Sequence, residues 1–181
     1  ASSNTAVGTK SLRANTTGTL NVAVGIDSLK TNTTGSGNVG IGREALRDNT
    51  TANYNTTVGI SSLSANTTGS SNSALGQSAL KANTTGAENT AVGVNALTAN
   101  TTASENNAFG YGALRYNTTG TANTALGQSA MFDNTTGSSN TSVGYYSLTN
   151  NTTGNYNSAF GENSLKANTT GAQNSGIGRY T

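Results

Sequence analysis

Large apolar, small and polar residues recur along this chain in a pattern that repeats every 17 residues. The segment Asn-Thr-Ala-Val-Gly that begins at Asn4 returns in related form at Asn21 and Asn38, and then every 17 residues up to Asn174, without insertion or deletion. Ten full repeats and the start of an eleventh therefore fill the chain. Helix-pair repeats need about 30 residues or more, so this shorter constant period predicts an all-β fold, a parallel β-solenoid in which each repeat is one coil.

Numbered from the Asn, the repeat reads Asn-x-Ala-Val-Gly-x-x-Ala/Ser-Leu-x-x-Asn-Thr-Thr-Gly-x-x. Position 4 is Val, Ile, Leu or Phe, position 9 is Leu except for Met131, and positions 3 and 8 are small. Because large apolar residues usually form the core, we expect positions 4 and 9 to fill the coil, with Phe109 and Phe160 among them. Positions 3 and 8 would then face outward, and another copy of the chain is the natural cover for that flank.

Glycine and asparagine occupy fixed places in the repeat. Gly is present at position 5 in all eleven copies, and at position 15 in all full copies except those with Ala52 and Ala103. We expect both glycines to adopt a positive φ at corners of the coil. Asn at positions 1 and 12 is predicted to stack into hydrogen-bonded ladders. Thr at positions 13 and 14 favours a β conformation in which the two side chains face opposite ways.

Composition excludes several classes of function. Of the 181 residues, 27 are Asn and 33 are Thr, and there is no Cys, His, Pro or Trp, so thiolate or imidazole chemistry, disulfides and ordinary zinc sites are excluded. No apolar run approaches the ~18 residues of a membrane span, and the net charge of +2 is too small to indicate a nucleic-acid partner. Asp27 and Glu44, like Glu88 and Glu105, are exposed neighbours rather than a catalytic pair, so we expect no enzymatic activity and no metal or cofactor.

Position 10 carries six of the nine basic residues. A cationic stripe along the rod could bind surface polyanions such as acidic glycans, whereas a solvated edge of long cationic side chains would only discourage lateral aggregation. The candidate stripe consists of Arg13, Lys30, Arg47, Lys81, Arg115 and Lys166.

Aromatic residues concentrate in the second half of the chain. Tyr111 and Tyr145 at position 6 and Tyr146 at position 7 form a candidate patch that could stack on sugars, or could fill a groove between protomers. The regular Thr columns suggest ice binding as a further alternative, with the Asn of position 12 as the expected partner column. The ten Asn-Thr-Thr sequons are interpreted as structural rather than as glycosylation sites.

The unit Asn-Thr-Ala-Val-Gly-x-x-Ser/Ala-Leu-x-x-Asn-Thr-Thr-Gly resembles repeats of bacterial and phage tail-fibre-like proteins, which often end in an endosialidase-type chaperone domain. Its Asn-x-Ala-Val-Gly strand is similar to the head repeats of trimeric autotransporter adhesins of the YadA type, whose repeat is shorter. The resemblance covers residues 4–181 and implies a left-handed, homotrimeric β-roll. Because the array stops within a repeat at Thr181, we expect a segment of a longer fibre protein.

These observations predict a single repeat array over residues 1–181 that serves as a structural shaft or head segment of an extracellular or virion fibre. Its expected partner is itself, in a homo-oligomer of three chains. The alternatives are an adhesin that binds surface glycans or other polyanions, and an ice-binding or surface-assembly solenoid.

Overall fold

A computed structural model of the chain describes residues 2–181 and contains one parallel sheet of eleven strands that follow one another in chain order. Each strand has three residues and covers positions 2 to 4 of its repeat. The strands are β1 Thr5–Val7, β2 Val22–Val24, β3 Val39–Ile41, β4 Thr56–Val58, β5 Ser73–Leu75, β6 Thr90–Val92, β7 Asn107–Phe109, β8 Thr124–Leu126, β9 Thr141–Val143, β10 Ser158–Phe160 and β11 Ser175–Ile177.

Every strand pairs with the next one in a register of 17 residues. In the pair of β6 and β7, for example, Thr90 lies opposite Asn107 and Val92 opposite Phe109. This register confirms the predicted parallel β-solenoid of about ten coils. We number the coils from Asn4, so that coil 7 begins at Asn106. At ~4.8 Å per coil, ten coils make a rod about 48 Å long.

Hydrogen bonds between coils continue beyond the strands. The Leu97 N–H donates to the Ala113 carbonyl over 3.0 Å, and the Thr84 N–H donates to the Thr101 carbonyl over 2.8 Å. Positions 13 and 14 form bends rather than strand, so the expected β conformation of the two Thr residues is wrong. No helix long and apolar enough to cross a membrane occurs between residues 2 and 181.

The coil interior contains the small residues of the strand rather than the large ones. Position 3 is buried in coils 2 to 10, and Leu97 and its equivalents at position 9 are buried in all but the end coils. The expectation for position 4 is wrong, because Phe109 is 38% exposed and Phe160 is 42% exposed. Neighbours at positions 8 and 9 limit the space inside: a Cβ added at Gly40 would lie only 2.8 Å from Ser28 Oγ and would be in contact with Leu29 Cδ1 at 3.4 Å. Only a small side chain fits inside at position 3, so position 4 faces outward.

Asn ladders run through the interior as predicted. At position 12, the buried Asn83 donates to Asn66 Oδ1 over 2.9 Å and to the Gly86 carbonyl over 2.9 Å. At position 1, Asn89 donates through its main chain to Asn72 Oδ1 over 3.0 Å. These bonds satisfy polar groups that would otherwise be buried without partners.

The glycines at positions 5 and 15 have different roles. Gly93 at position 5 has a φ of +135°, and a Cβ there would also lie 2.5 Å from the Gly110 carbonyl oxygen, so the expected positive φ is confirmed. The expectation for position 15 is wrong, because none of its glycines has a positive φ. Gly69 lies instead where a Cβ would come within 2.2 Å of the Gly86 carbonyl oxygen and 2.7 Å of Asn66 Oδ1, so close contacts with the next coil and with the ladder favour a small residue.

Left-handed backbone occurs at three further positions of the coil that are not restricted to glycine. Residues at positions 7, 9 and 17 have φ values near +50° to +60°, as in Asn95 with +59°, Leu97 with +50° and Ala122 with +56°. Side chains of many types stand at positions 7 and 17, so the coil itself imposes this conformation.

Candidate functional surfaces

The outer face of the sheet is formed by positions 2 and 4. Position 4 alone forms an unbroken apolar column along the rod, and Leu126 in its middle is 50% exposed. No residue at position 2 or 4 is charged in any of the eleven copies. The apolar column consists of Val7, Val24, Ile41, Val58, Leu75, Val92, Phe109, Leu126, Val143, Phe160 and Ile177.

The continuity of this face, rather than its area, sets it apart. Eleven strands at ~4.8 Å and a distance of ~7 Å between positions 2 and 4 give about 370 Å², of which the mostly Thr, Ser and Asn side chains of position 2 cover a part. That area is comparable to the largest apolar patch of an ordinary soluble monomer, which is often functional. The flank predicted to need a cover was the one with the small residues of positions 3 and 8. The structure buries position 3 and exposes the large apolar residues of position 4 to solvent instead.

The six basic residues of position 10 lie along another side of the rod, but in three different environments. Lys30 pairs with Asp27 over 3.3 Å, and Arg47 pairs with Asp48 over 2.7 Å and with Glu44 over 3.6 Å. The hydrogen bond with Asp48 raises the pKa of Arg47. These carboxylates neutralise two of the six cations.

The other four cations are not in ion pairs within residues 2–181. Arg13 borders, with Lys30, a shallow cleft of about 280 Å³ over Ala14 and Thr31, and Lys81 is exposed. The remaining two, Arg115 and Lys166, stack on aromatic rings. The predicted stripe is therefore not one continuous electrostatic surface.

The three residues of the predicted aromatic patch do not form one surface either, because Tyr111 is separate from Tyr145 and Tyr146. The Tyr145 and Tyr146 rings meet edge to face with centroids 4.4 Å apart, and Lys166 Nζ lies 5.3 Å from the Tyr146 centroid. Partial desolvation raises the pKa of the Tyr145 phenol, and the neighbouring Tyr146 adds to the shift. Tyr111 lies two coils from Tyr145 in the same column, about 10 Å along the rod, with Gln128 between them.

A second aromatic cluster was not predicted. Tyr116 and Phe132 meet edge to face with centroids 5.1 Å apart, and the Arg115 guanidinium carbon lies 5.4 Å and 5.6 Å from their centroids. Gly112 makes room for the Phe132 ring, because a Cβ there would lie 3.1 Å from it. The available signal was that Gly112 and Tyr116 are unique at positions 7 and 11 of the repeat.

The two Thr columns differ in what their hydroxyls do. At position 13, the Thr84 hydroxyl donates to the Thr101 carbonyl over 3.0 Å. At position 14, all ten Thr side chains are exposed, and none of their hydroxyls forms a hydrogen bond with another part of residues 2–181. The Asn expected beside them is buried instead, as Asn83 is, so the predicted partner column is wrong.

The burial of Asn at position 12 also bears on the sequons. In the middle coils both the amide nitrogen and the amide oxygen of this Asn are engaged in the ladder. An Asn in this state is inaccessible to a glycosyltransferase while the coil is folded, which agrees with the structural interpretation of these sequons.

The acidic residues are dispersed. Asp27 and Glu44 are engaged with Lys30 and Arg47, and Glu88 and Glu105 are exposed. Within the described part of the chain, no three potential metal-binding side chains come together.

Comparisons with family models, with curated proteins and with solved structures gave no match to this chain.

Proposed function

We propose that this chain is a shaft or head segment of an extracellular or virion fibre, built as a homo-oligomer of parallel β-solenoids and working as a stiff spacer. The observation that carries the proposal is the apolar column, which keeps an aliphatic or aromatic residue in all eleven copies although it lies outside the coil. A second copy of the same chain offers a matching surface, because its column has the same length and the same rise per coil.

Cyclic symmetry gives this surface a closed arrangement. When each copy turns its apolar column toward a common axis, the same face is buried on every chain along the whole rod. The proposed number is three, as the resemblance to tail-fibre and adhesin-head repeats implies, with the left-handed coil of those rolls. The continuous hydrogen bonding between coils supports a mechanical role, since bending the rod would distort bonds on every side of the coil.

Ice binding is less well supported by the same structure. An ice-binding face needs more than one column of free hydroxyls on a flat surface. Here the hydroxyls of position 13 are bonded to main-chain carbonyls in nine of the ten coils, Thr169 being the exception, so within residues 2–181 only position 14 offers a full column of free hydroxyls.

Sedimentation equilibrium of the whole chain tests the proposal. We expect a mass three times the 18.1 kDa of one chain. Replacing Leu75 and Leu126 with Lys places charges in the proposed interface, and we expect this variant to dissociate. The matched control replaces Thr85 and Thr136, exposed residues of the same two coils, with Lys.

Three outcomes are informative. A native chain that stays monomeric at tens of micromolar would refute self-association. Equal dissociation of the interface variant and the control would show that charge alone is responsible and that the apolar column is not the contact. A mass of two chains would keep the interface and replace the trimer by a dimer.

A further inference from the structure

Coils 7 and 8 depart from the repeat on one side of the rod. Phe132 is the one aromatic residue at position 10, Tyr116 is the one aromatic residue at position 11, and Gly112 is the one glycine at position 7. The fold brings these departures into contact with each other. We group this cluster with the stacked pair of Tyr146 and Lys166, in coils 9 and 10 on the same side of the rod. Together they are named the cation–aromatic strip, which consists of Arg115, Tyr116, Phe132, Tyr146 and Lys166.

The strip lies outside the proposed protomer contact. Its residues occupy positions 7, 10 and 11, beyond the corner made by the Gly of position 5, whereas the apolar column occupies position 4. Tyr116 is 44% exposed, and Arg115, Phe132 and Tyr146 are partly exposed. The strip therefore stays open to solvent when copies of the chain pack through their sheets.

Both cations of the strip are positioned but not neutralised. Arg115 stacks on two rings and Lys166 on one, at 5.3 to 5.6 Å from the centroids. Neither forms an ion pair with any carboxylate of residues 2–181, in contrast to Lys30 and Arg47 in the same column. Stacking holds the guanidinium in place and leaves N–H groups free for a planar, two-pronged anion such as a carboxylate.

We propose that the cation–aromatic strip binds an extended glycan that carries carboxylates, such as a polyuronate. The aromatic rings would pack against the C–H faces of the sugar rings, and Arg115 and Lys166 would each bind a carboxylate. These two residues are three coils apart, about 14 Å along the rod, so a polymer with a carboxylate on every sugar reaches both. Small ligands need an enclosed pocket, whereas an exposed strip along the rod suits a chain that lies along it.

This inference goes beyond the spacer role and does not depend on the oligomer. Its test is binding of the whole chain to immobilised polygalacturonate, with uncharged dextran and dextran sulfate as comparison polymers. We expect binding to polygalacturonate and none to dextran. Arg115→Ala and Phe132→Thr should each weaken binding about tenfold or more. Arg13→Ala and Lys81→Ala remove cations of the same column that touch no ring, and should change binding less than twofold.

The variants are chosen to fold. Thr already stands at position 10 in two other repeats, as Thr98 and Thr149, so Phe132→Thr introduces a residue that the coil accepts. Circular dichroism and sedimentation of each variant show whether the rod and its assembly are intact, which separates a loss of binding from a failure of the proposed function.

Two results would overturn the inference. One is a native protein that does not bind polygalacturonate at millimolar carboxylate in 50 mM salt. The other is a pattern set by charge alone, in which Arg13→Ala weakens binding as much as Arg115→Ala, or Phe132→Thr leaves it unchanged. If the protein binds dextran sulfate more tightly than polygalacturonate, and Phe132→Thr does not change that binding, charge alone is responsible and the inference is likewise overturned.

Discussion

The Asn ladder of position 12 can be tested at Asn83, in the middle of the rod. Its amide donates to Asn66 Oδ1 over 2.9 Å and to the Gly86 carbonyl over 2.9 Å, and its oxygen accepts from Asn100 Nδ2 over 2.8 Å. Asn83→Ala therefore removes three hydrogen bonds. It leaves Asn66 Oδ1 buried without a ladder donor, whereas the Gly86 carbonyl keeps a bond from Asn72.

The expected loss follows from these contacts. An unsatisfied buried polar group costs ~1 to 3 kcal/mol, and the small cavity left by the amide adds about 1 kcal/mol. We therefore expect Asn83→Ala to lower the free energy of unfolding by about 2 to 4 kcal/mol. The control is Asn150→Ala at position 11, where Ala is the commonest residue of the repeat, and its effect should stay within about 0.5 kcal/mol.

Urea unfolding at fixed protein concentration, followed by far-ultraviolet circular dichroism, measures both variants. Asn83→Asp provides an independent readout, because it keeps the shape but replaces the donating amide with a second acceptor. The buried carboxylate should have a pKa above its unfolded value. Its destabilisation is then full at neutral pH and decreases as pH falls through the folded-state pKa, where the protonated oxygen can donate to Asn66. Equal stability of Asn83→Ala and Asn150→Ala would refute the structural role of the ladder.

Two further predictions concern the glycines and the apolar residues. Gly93→Ala should cost more than about 3 kcal/mol, because its φ of +135° strains any residue that has a Cβ. The positive φ distinguishes it from Gly69, where an added Cβ would also lie close to a main-chain carbonyl oxygen, 2.2 Å from that of Gly86. Gly69→Ala should cost about 1 kcal/mol or less, since Ala52 and Ala103 occupy the equivalent place, and thermal unfolding of the two variants checks the order. Leu97→Ala, inside the coil, should cost ~2 to 5 kcal/mol at any protein concentration. Leu126→Ala, outside it, should cost most where the oligomer is populated, and a dilution series of melting temperatures separates the two.

The fold could be predicted from the sequence because the period alone determines the register. A spacing of 17 without exception places Ala91 next to Ala108 and Asn83 next to Asn100, whatever the shape of the coil between them. The ladders follow from the same rule, since an amide that recurs at one rise per coil has its partner directly above it.

Which face of the strand lies inside the coil could not be predicted in the same way. Positions 3 and 4 are both restricted, and the prediction placed the larger residue inside. The outcome depends on Leu97 and its equivalents, which occupy the interior opposite position 3 through a left-handed backbone at position 9. The sequence does not reveal that conformation, because left-handed backbone is expected at Gly, Asn or Asp and not at Leu.

One signal in the repeats did point to the observed arrangement. Position 9 is Leu in nine of the ten full copies and Met131 in coil 8, the uniformity expected of a close-packed interior. Position 4 varies from Val92 to Phe109 between adjacent coils, a change of volume that a closed ladder of stacked side chains would not accept without strain. Variation in size within an apolar column thus separates the outer column from the inner one.

A comparison of residue variation between columns supports both the proposed protomer contact and the proposed glycan site. Positions 6, 7, 10 and 17, which are exposed or partly exposed in most coils, have diverged among the repeats, many into charged, amide or aromatic residues, whereas position 4 has stayed apolar in every copy. Solvent alone would not keep it so, and a covering surface that runs the full length of the rod would. The cation–aromatic strip shows the converse, because its unique residues, Gly112, Tyr116 and Phe132, occur only in coils 7 and 8, as expected of a local ligand rather than of a contact repeated at every coil. A protomer contact and a ligand site on one rod are therefore distinguished by how far each extends along it.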